Sequence, residues 1–387
     1  MTPQSTATPD RPPRLVTVTH FFPAHGGGLE GVAGRLVQEF AQRGVAITWF
    51  SSGTDPAPAD IGQQVTHVSV PTSNIVEQLT QLPYPLWSPA ILSRLWRAIG
   101  DADVVHVHEH LYAPSIAALF LARLRGKPVV ITQHMGALGL PNRMLTAAYE
   151  CGAKLLGWML FPLAARRVFI SANVRRFFGR ENDQDSPLIF NGVDTGIFNP
   201  GVQDRADLRR KMELPIDQKI ALFVGRLVRK KGLHIVRQLA GQRPDMCWMI
   251  VGSGPEDPAA WNLKNVRVIG RVDHDNLADY YRAADLLILP SSGEGFPLVV
   301  QEALCCGTRV LSTEEVASAC PPAAQMIMTC PTPRTDSNVE GWLAALDRAL
   351  PVNNTQLDRR RDSDAAQTLW SWSGTAERYL ALFRQIG

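Results

Sequence analysis

Cysteine is scarce and unpaired in this 387-residue sequence: Cys151, Cys247, Cys305, Cys306, Cys320 and Cys330 show no Cys-x-x-Cys spacing. That argues against a disulfide framework and against a structural zinc site. An excess of one charge is also lacking. Thirty-nine Lys and Arg against 36 Asp and Glu leave +3, too little for a nucleic-acid footprint spread over the whole surface, and no nucleic-acid partner is expected. Long apolar runs are missing as well. The longest, Leu155–Ala165, falls short of the about 20 residues a membrane span needs and is flanked by Lys154, Arg166 and Arg167. It reads as a core helix or an interfacial one. Met1–Pro13 is polar and Pro-rich without the apolar core of a secretory signal, so a disordered leader and a cytoplasmic location are expected. No short-period repeat is present.

What is present is the composition of an ordinary soluble enzyme, 45% apolar and 19% charged, at a length that suits two domains. Short β-branched runs alternate with helical spacing. Leu15–Thr19, Val45–Phe50, Val104–Val107, Val129–Thr132 and Val168–Ile170 read as strands, with a helix over Pro114–Leu124. The pattern relaxes at Asn199–Asp204, a linker by composition, and then resumes. Further strands are expected at Ile220–Val224, Cys247–Val251, Val266–Ile269, Leu286–Leu289 and Arg309–Leu311. Helices are expected at Gly232–Leu239, Asp275–Ala283 and Leu298–Cys305. The predicted class is α/β, two consecutive doubly wound Rossmann-like domains whose ligand loops follow the carboxyl ends of the strands and face a shared cleft. A final apolar helix carries Trp370, Trp372, Tyr379, Leu380 and Phe383.

Two stretches carry the strongest chemical signal. Leu289–Glu302 reads as a strand end, a loop of small residues and a helix start, with Pro297 in the first turn. Amides at such a helix start suit an anion, while Glu294 and Glu302 suit sugar hydroxyls as acceptors. Each glutamate alone reads equally well as a solvated surface charge. Val224–Gly232 places Gly225, Arg226 and Lys231 between a strand and a helix. Glycine admits close backbone approach, and the two cations match a diphosphate. A solvated basic turn is the competing explanation. The glycine run Gly26–Gly28 with Glu30, and Val251–Pro255, read first as structural turns.

Histidines offer a rival chemistry. His106, His108 and His110 alternate, share a face if they lie on one strand, and resemble metal ligands. Packed, hydrogen-bonded histidines are the plainer reading, since no partner with metal-site spacing completes the set. His134 ends another strand and points toward the ligand loops.

In order and interval these residues resemble the retaining nucleotide-sugar glycosyltransferases of family 4, which have the GT-B fold. The matching pieces are Gly27, Gly28, Leu29 and Glu30; Thr132, Gln133 and His134; Asn191–Asp194 with Phe198 and Pro200; Val224–Gly232; Val251–Pro255; Ala284 and Asp285; and Glu294–Glu302. The resemblance implies a catalytic set of Arg226, Lys231, Glu294 and His134. It implies donor binding through Gly27, Gly28, Gly225, Gly295, Phe296, Pro297, Leu298, Val299 and Glu302. Arg226 and Lys231 would hold the diphosphate, Glu302 the ribose and Glu294 the transferred sugar. No cofactor and no metal are expected. The domains would run 14–200 plus 368–387 on the acceptor side, where the final helix crosses back, and 201–367 on the donor side. One departure is plain: after Ser312 the family usually has a glycine-containing loop followed by a glutamate, whereas this chain reads Thr313, Glu314, Glu315, Val316, Ala317, Ser318, Ala319, Cys320.

The expected function is retaining glycosyl transfer from a nucleoside diphosphate sugar to a glycan, lipid-linked or small-molecule acceptor, in bacterial-type glycoconjugate or polysaccharide synthesis. The alternatives are a metal-dependent hydrolase built on His106, His108 and His110, and a non-catalytic nucleotide-sugar binder suggested by the altered loop. Peripheral contact with the inner membrane face is a further reading. Tyr84, Leu86, Trp87, Leu92, Leu95 and Trp96, with Leu155, Leu156, Trp158 and Met159, lie near Arg94, Arg97, Lys154, Arg166 and Arg167. Burial in the first domain explains these apolar residues equally well.

Overall fold

The computed structural model describes residues 11–59, 61–80, 84–137, 143–331, 339–350 and 355–387. Residues 1–10 of the expected leader lie outside them. Arg11–Pro13 correct that expectation: the Arg11 guanidinium donates to Asp103 at 3.3 Å, and Pro13 is buried.

The chain forms two compact units, one running up to Ile170 with Val174–Asn191 and Trp372–Gly387, the other Ser171–Asn173 with Gly192–Ser371. The first is built on strands β1 (Leu15–Val18), β2 (Ile47–Ser52), β3 (Val65–Val70), β4 (Val104–His108), β5 (Val129–Gln133) and β6 (Arg166–Phe169). They pair in parallel in the order β3-β2-β1-β4-β5-β6. The second unit repeats the plan with β7 (Ile220–Val224), β8 (Cys247–Val251), β9 (Val266–Gly270), β10 (Leu286–Leu289), β11 (Arg309–Thr313) and β12 (Ile327–Cys330), ordered β9-β8-β7-β10-β11-β12. These are parallel too. Both are doubly wound Rossmann-like sheets, each reversing strand order beside its first strand. The central strands are buried along their whole length, as sheets covered on both faces require, which is why they read as unbroken apolar runs. Of these twelve strands, the two absent from the sequence reading, β3 and β12, are both sheet edges. In β3 the residues alternate between cover and solvent.

Trp370 corrects the expected terminal helix. Helix Gln356–Trp370 ends there, Ser371 is extended, and a new helix, Trp372–Ile386, begins. Trp370 stacks obliquely near Phe296 at 5.6 Å within the second unit. Trp372, Ala376, Tyr379, Leu380 and Phe383 are buried in a core with Leu36, Phe40 and Val104 of the first. The change of unit at Gly192 falls before Asn199–Asp204. Val193 N donates to Trp370 O at 2.6 Å, and Arg282 donates to the carbonyls of Ile197 and Asn199, tying 192–200 to the second unit.

Asp285 anchors that unit. It is 1% exposed and accepts from Arg209 at 2.8 Å, from the Ile220 amide at 2.7 Å, and from Arg205. Burial alone would raise its carboxyl pKa; the Arg205 charge, the Ile220 amide and Arg209 outweigh it and hold the group below the usual range. Asp285→Ala would strand Arg209, itself 4% exposed. The expected loss is about 3–5 kcal/mol, read as a lower urea midpoint by tryptophan fluorescence. An unchanged midpoint would show the cluster to be dispensable.

Candidate functional site

In the second unit the signal-bearing loops follow the carboxyl ends of β7, β8 and β10. After β7, Gly225 has φ 153, which favours glycine, and nothing within 3.8 Å of the place a Cβ would take. Arg226 is exposed and, among the described residues, paired with no carboxylate. The turn Arg229–Lys231 closes on Gly232, whose φ of 78 and contact with Pro290 O, 2.2 Å from a would-be Cβ, demand glycine. Lys231 Nζ meets Glu294 Oε1 at 2.8 Å, with both side chains largely buried. The β7 and β10 loops are thus joined by the cation and the acid expected to share a ligand. Gly252 and Gly254 follow β8 and are glycines for internal reasons. A Cβ on Gly252 would lie 1.9 Å from Gly225 O, and one on Gly254 2.4 Å from Leu227 O. The structural reading of Val251–Pro255 holds.

The β10 loop is braced from both sides. Ser292 N donates to Lys230 O at 3.0 Å, and Thr313 Oγ1 donates to Ser291 O at 3.1 Å. Gly293 N donates to Glu315 Oε1 at 2.9 Å. The glycine-free segment after Ser312 therefore contacts this loop through side chains. Pro297 sits at the N-cap rather than inside the first turn, and the helix is Leu298–Cys305. The Leu298 and Val299 amides precede its first internal bond. Phe296 and Pro297 turn inward, Gly295 lies between them and Glu294, and Leu298 and Val299 are half-buried. Glu302 stands just over one turn into this helix. It is 7% exposed, accepts from the Tyr281 hydroxyl at 2.8 Å, and has His274 Nε2 4.0 Å from its other oxygen. Burial pushes its carboxyl up to about 7, and the Tyr281 bond partly offsets that. Tyr281, on helix His274–Ala283, was invisible in sequence because it occupies an ordinary core-facing position.

In the first unit Gly26 has φ 89, and helix Gly28–Gln42 begins after Gly27. A Cβ on Gly27 would lie 2.0 Å from Glu30 Oε2, so a side chain there would displace the folded-back carboxylate. Gly28 has nothing within 4 Å and is open to a ligand. Glu30 Oε1 receives His20 Nε2 at 2.8 Å, and His20 stacks on Tyr112 at 3.9 Å. Burial would raise the Glu30 pKa, but the His20 hydrogen bond and charge bring it below its ordinary value.

His134 follows β5 and is 9% exposed. Its Nε2 lies 3.0 Å from His108 Nδ1, leaving Nδ1 as the ring nitrogen not engaged with His108. Burial, with the His20 charge, pulls its pKa to about 3, so the ring is neutral near pH 7. His106 Nε2 pairs with Thr132 Oγ1 at 2.8 Å, which in turn meets the Tyr379 hydroxyl at 3.0 Å. β4 ends at His108, so His110 leaves the shared face, and its ring bonds Gln133 Oε1 and Ala153 O. Among the described residues no three His, Cys, Asp or Glu side chains are placed to hold a metal. The histidines are committed to packing and to one another. Sequence reasoning missed Glu109, fully buried between them.

Replacing Tyr281 with Phe removes the hydrogen bond that holds the Glu302 titration down. The Glu302 carboxyl is expected to titrate above about 7, readable by carboxyl-carbon NMR against a Glu302→Gln control; an unmoved midpoint would contradict the pairing.

The family model for Glycosyltransferase Family 4 matches residues 26–196, and that for Glycosyl transferases group 1 matches residues 204–320. The chain is 32% identical over 354 residues to the D-inositol 3-phosphate glycosyltransferase 1 of Catenulispora acidiphila, covering 81% of each protein. Among solved structures it superimposes on sucrose-phosphate synthase from Thermosynechococcus elongatus with a TM-score of 0.69 at 20% identity, covering 96% of this chain and 98% of that one. Anabaena HepE in complex with UDP gives 0.69 at 14% identity, covering 96% and 100%. With two Rossmann-like units and these matches across both, the chain belongs to the family 4 glycosyltransferases of GT-B fold.

Proposed function

We propose that this glycosyltransferase moves a sugar, with retention, from a nucleoside diphosphate sugar to an acceptor hydroxyl. The observation that carries the reading is the Lys231 to Glu294 pair at 2.8 Å. It joins a phosphate-type cation to a sugar-type acceptor across two strand-end loops, next to the unpaired Arg226. Arg226, Lys231 and the Leu298 and Val299 amides stabilise the charge gathering on the departing diphosphate. Glu302 accepts from the ribose hydroxyls and Glu294 from the transferred sugar. The bond from the anomeric carbon to the phosphate oxygen breaks as the acceptor oxygen bonds on the same face. The acceptor proton passes to the leaving phosphate, so no carboxylate base is assigned. His134, neutral, orients the sugar or acceptor through Nδ1, and Gly28 leaves room for phosphate. Side chains and amides supply the positive charge, with no metal in the assignment. The UDP complex of HepE supports a nucleotide donor, and the D-inositol 3-phosphate relative makes small phosphorylated polyols part of the acceptor panel.

Lys231→Ala and Arg226→Ala are each expected to cut transfer about 100-fold or more; Arg226→Ala should leave the thermal midpoint nearly unchanged, whereas Lys231→Ala should lower it, because the largely buried Glu294 loses its counter-charge. In a screen of nucleoside diphosphate sugars, the true donor raises the midpoint of the native chain by mass action. Full activity in both variants, or a screen without stabilisation, would overturn the reading. Stabilisation without transfer to any acceptor would favour a non-catalytic binder.

No helix among the described residues is long and apolar enough to cross a membrane. Peripheral contact on the cytoplasmic face is part of the proposal, with its residues re-sorted. Leu95 is buried, Trp87 packs on the core, and Arg167 pairs with Asp183. Met144, Leu155, Trp158 and Met159 on helix Arg143–Leu160 are more than half exposed, as are Leu124 and about half of Phe120 on helix Ala113–Leu124. Trp158 and Leu155 flank the exposed Lys154, a composition suited to an anionic interface. Sedimentation with anionic vesicles at low salt is expected, and Trp158→Ser with Leu155→Ser should abolish it. A wild-type chain left in the supernatant would remove the idea.

A further inference from the structure

Glu109 comes directly after β4, is 0% exposed and holds φ 65, a left-handed conformation that strains a non-glycine residue. Its own amide donates to Thr132 O at 2.9 Å. Its carboxylate reaches past the end of β5. Oε1 accepts from the main-chain amides of His134 and Met135, and Oε2 accepts from Gln133 Nε2, each at 2.5 Å. Those two amides lie beyond the last paired residue of β5, where the sheet ladder supplies no acceptor and a buried N–H must find another. Gln133 is fixed in turn: Nε2 also donates to Met135 O at 2.9 Å, while Oε1 faces His110 Nδ1 at 2.8 Å. Burial drives the Glu109 carboxyl up to about 8 against the pull of its three N–H partners. A residue strained in backbone and costly in charge is therefore held in place by contacts to the segment that bears His134.

We propose that Glu109 is a positioning residue for glycosyl transfer: by gripping the His134 and Met135 amides it sets where the His134 ring stands against the reacting sugar. This rests on the role given to His134 above. Glu109→Gln keeps the shape and one good acceptor, but turns an NH2 group toward the NH2 of Gln133, so the Gln133 to His110 bond or the grip on the loop must yield. Glu109→Asp keeps the carboxyl group but is one methylene too short to hold both amides.

The test uses the whole chain with each single variant, His134→Ala, and the Glu109→Gln/His134→Ala double variant. Imidazole 1H–15N spectra, with His134 assigned by its loss in His134→Ala, are expected to show the His134 ring signals displaced in Glu109→Gln, with the thermal midpoint lowered by only a few degrees. With the donor found in the stabilisation screen, kcat should fall about tenfold or more, donor KM should stay within about twofold, and the double variant should be no slower than His134→Ala alone. Unmoved His134 signals, additive losses in the double variant, or failure of both Glu109 variants to fold would overturn the proposal. A fully active His134→Ala would remove the role of His134 itself, leaving the ring spectra to judge whether Glu109 positions that side chain.

Discussion

Parallel pairing is the constraint on which the rest depends. Both six-stranded sheets run every strand the same way, so within each unit the carboxyl ends of all strands open at one end of the sheet. Loops far apart in sequence are thereby gathered. In the second unit the segments after β7, β8 and β10 interlock through Gly252 against Gly225, Gly232 against Pro290, and Lys231 against Glu294. In the first, the segments after β4 and β5 are joined by His108 with His134 and by Glu109 with the amides beyond Gln133.

Close approach of backbone separates the glycines by cause. Gly232, Gly252 and Gly254 are small because backbone from another loop occupies the place of a side chain, whereas Gly27 faces only the Glu30 carboxylate. Gly28 meets nothing within 4 Å, and its glycine has no such internal explanation. A sequence shows the same letter in each case, so only the folded chain distinguishes a turn built for packing from one that leaves space at a helix start.

Much of the architecture was legible because buried parallel strands spell themselves out as apolar runs: β4, β5, β7, β8 and β10 stand where periodicity placed them. Of the four edges, β6 and β9 were legible too, but β3 and β12 were not, since β3 alternates and β12 is short and follows a proline-led turn. The final helix was recognised but begun too early, because Trp370 and Trp372 look alike in sequence and differ only in which core they enter. Of the site, Lys231 and Glu294 were legible as chemistry in the right order, whereas Tyr281 and Glu109 were not. A tyrosine on a core-facing helix position and a glutamate between two histidines announce no partner, and their contacts arise from neighbouring strands and helices. The three alternating histidines are buried and hydrogen-bonded, as their plainer reading had it; the rival metal reading needed one shared face, and the chain turns at Glu109.

The Lys231 to Glu294 pair has one more implication. The ammonium group has a carboxylate 2.8 Å away that balances its charge. Inorganic phosphate, offering only negative charge, would have to evict that carboxylate and leave it without a counterpart. A molecule that brings phosphate and hydroxyl groups together supplies a new companion to both sides at once, so under the proposed reading the pair would favour ligands that carry both groups over phosphate alone.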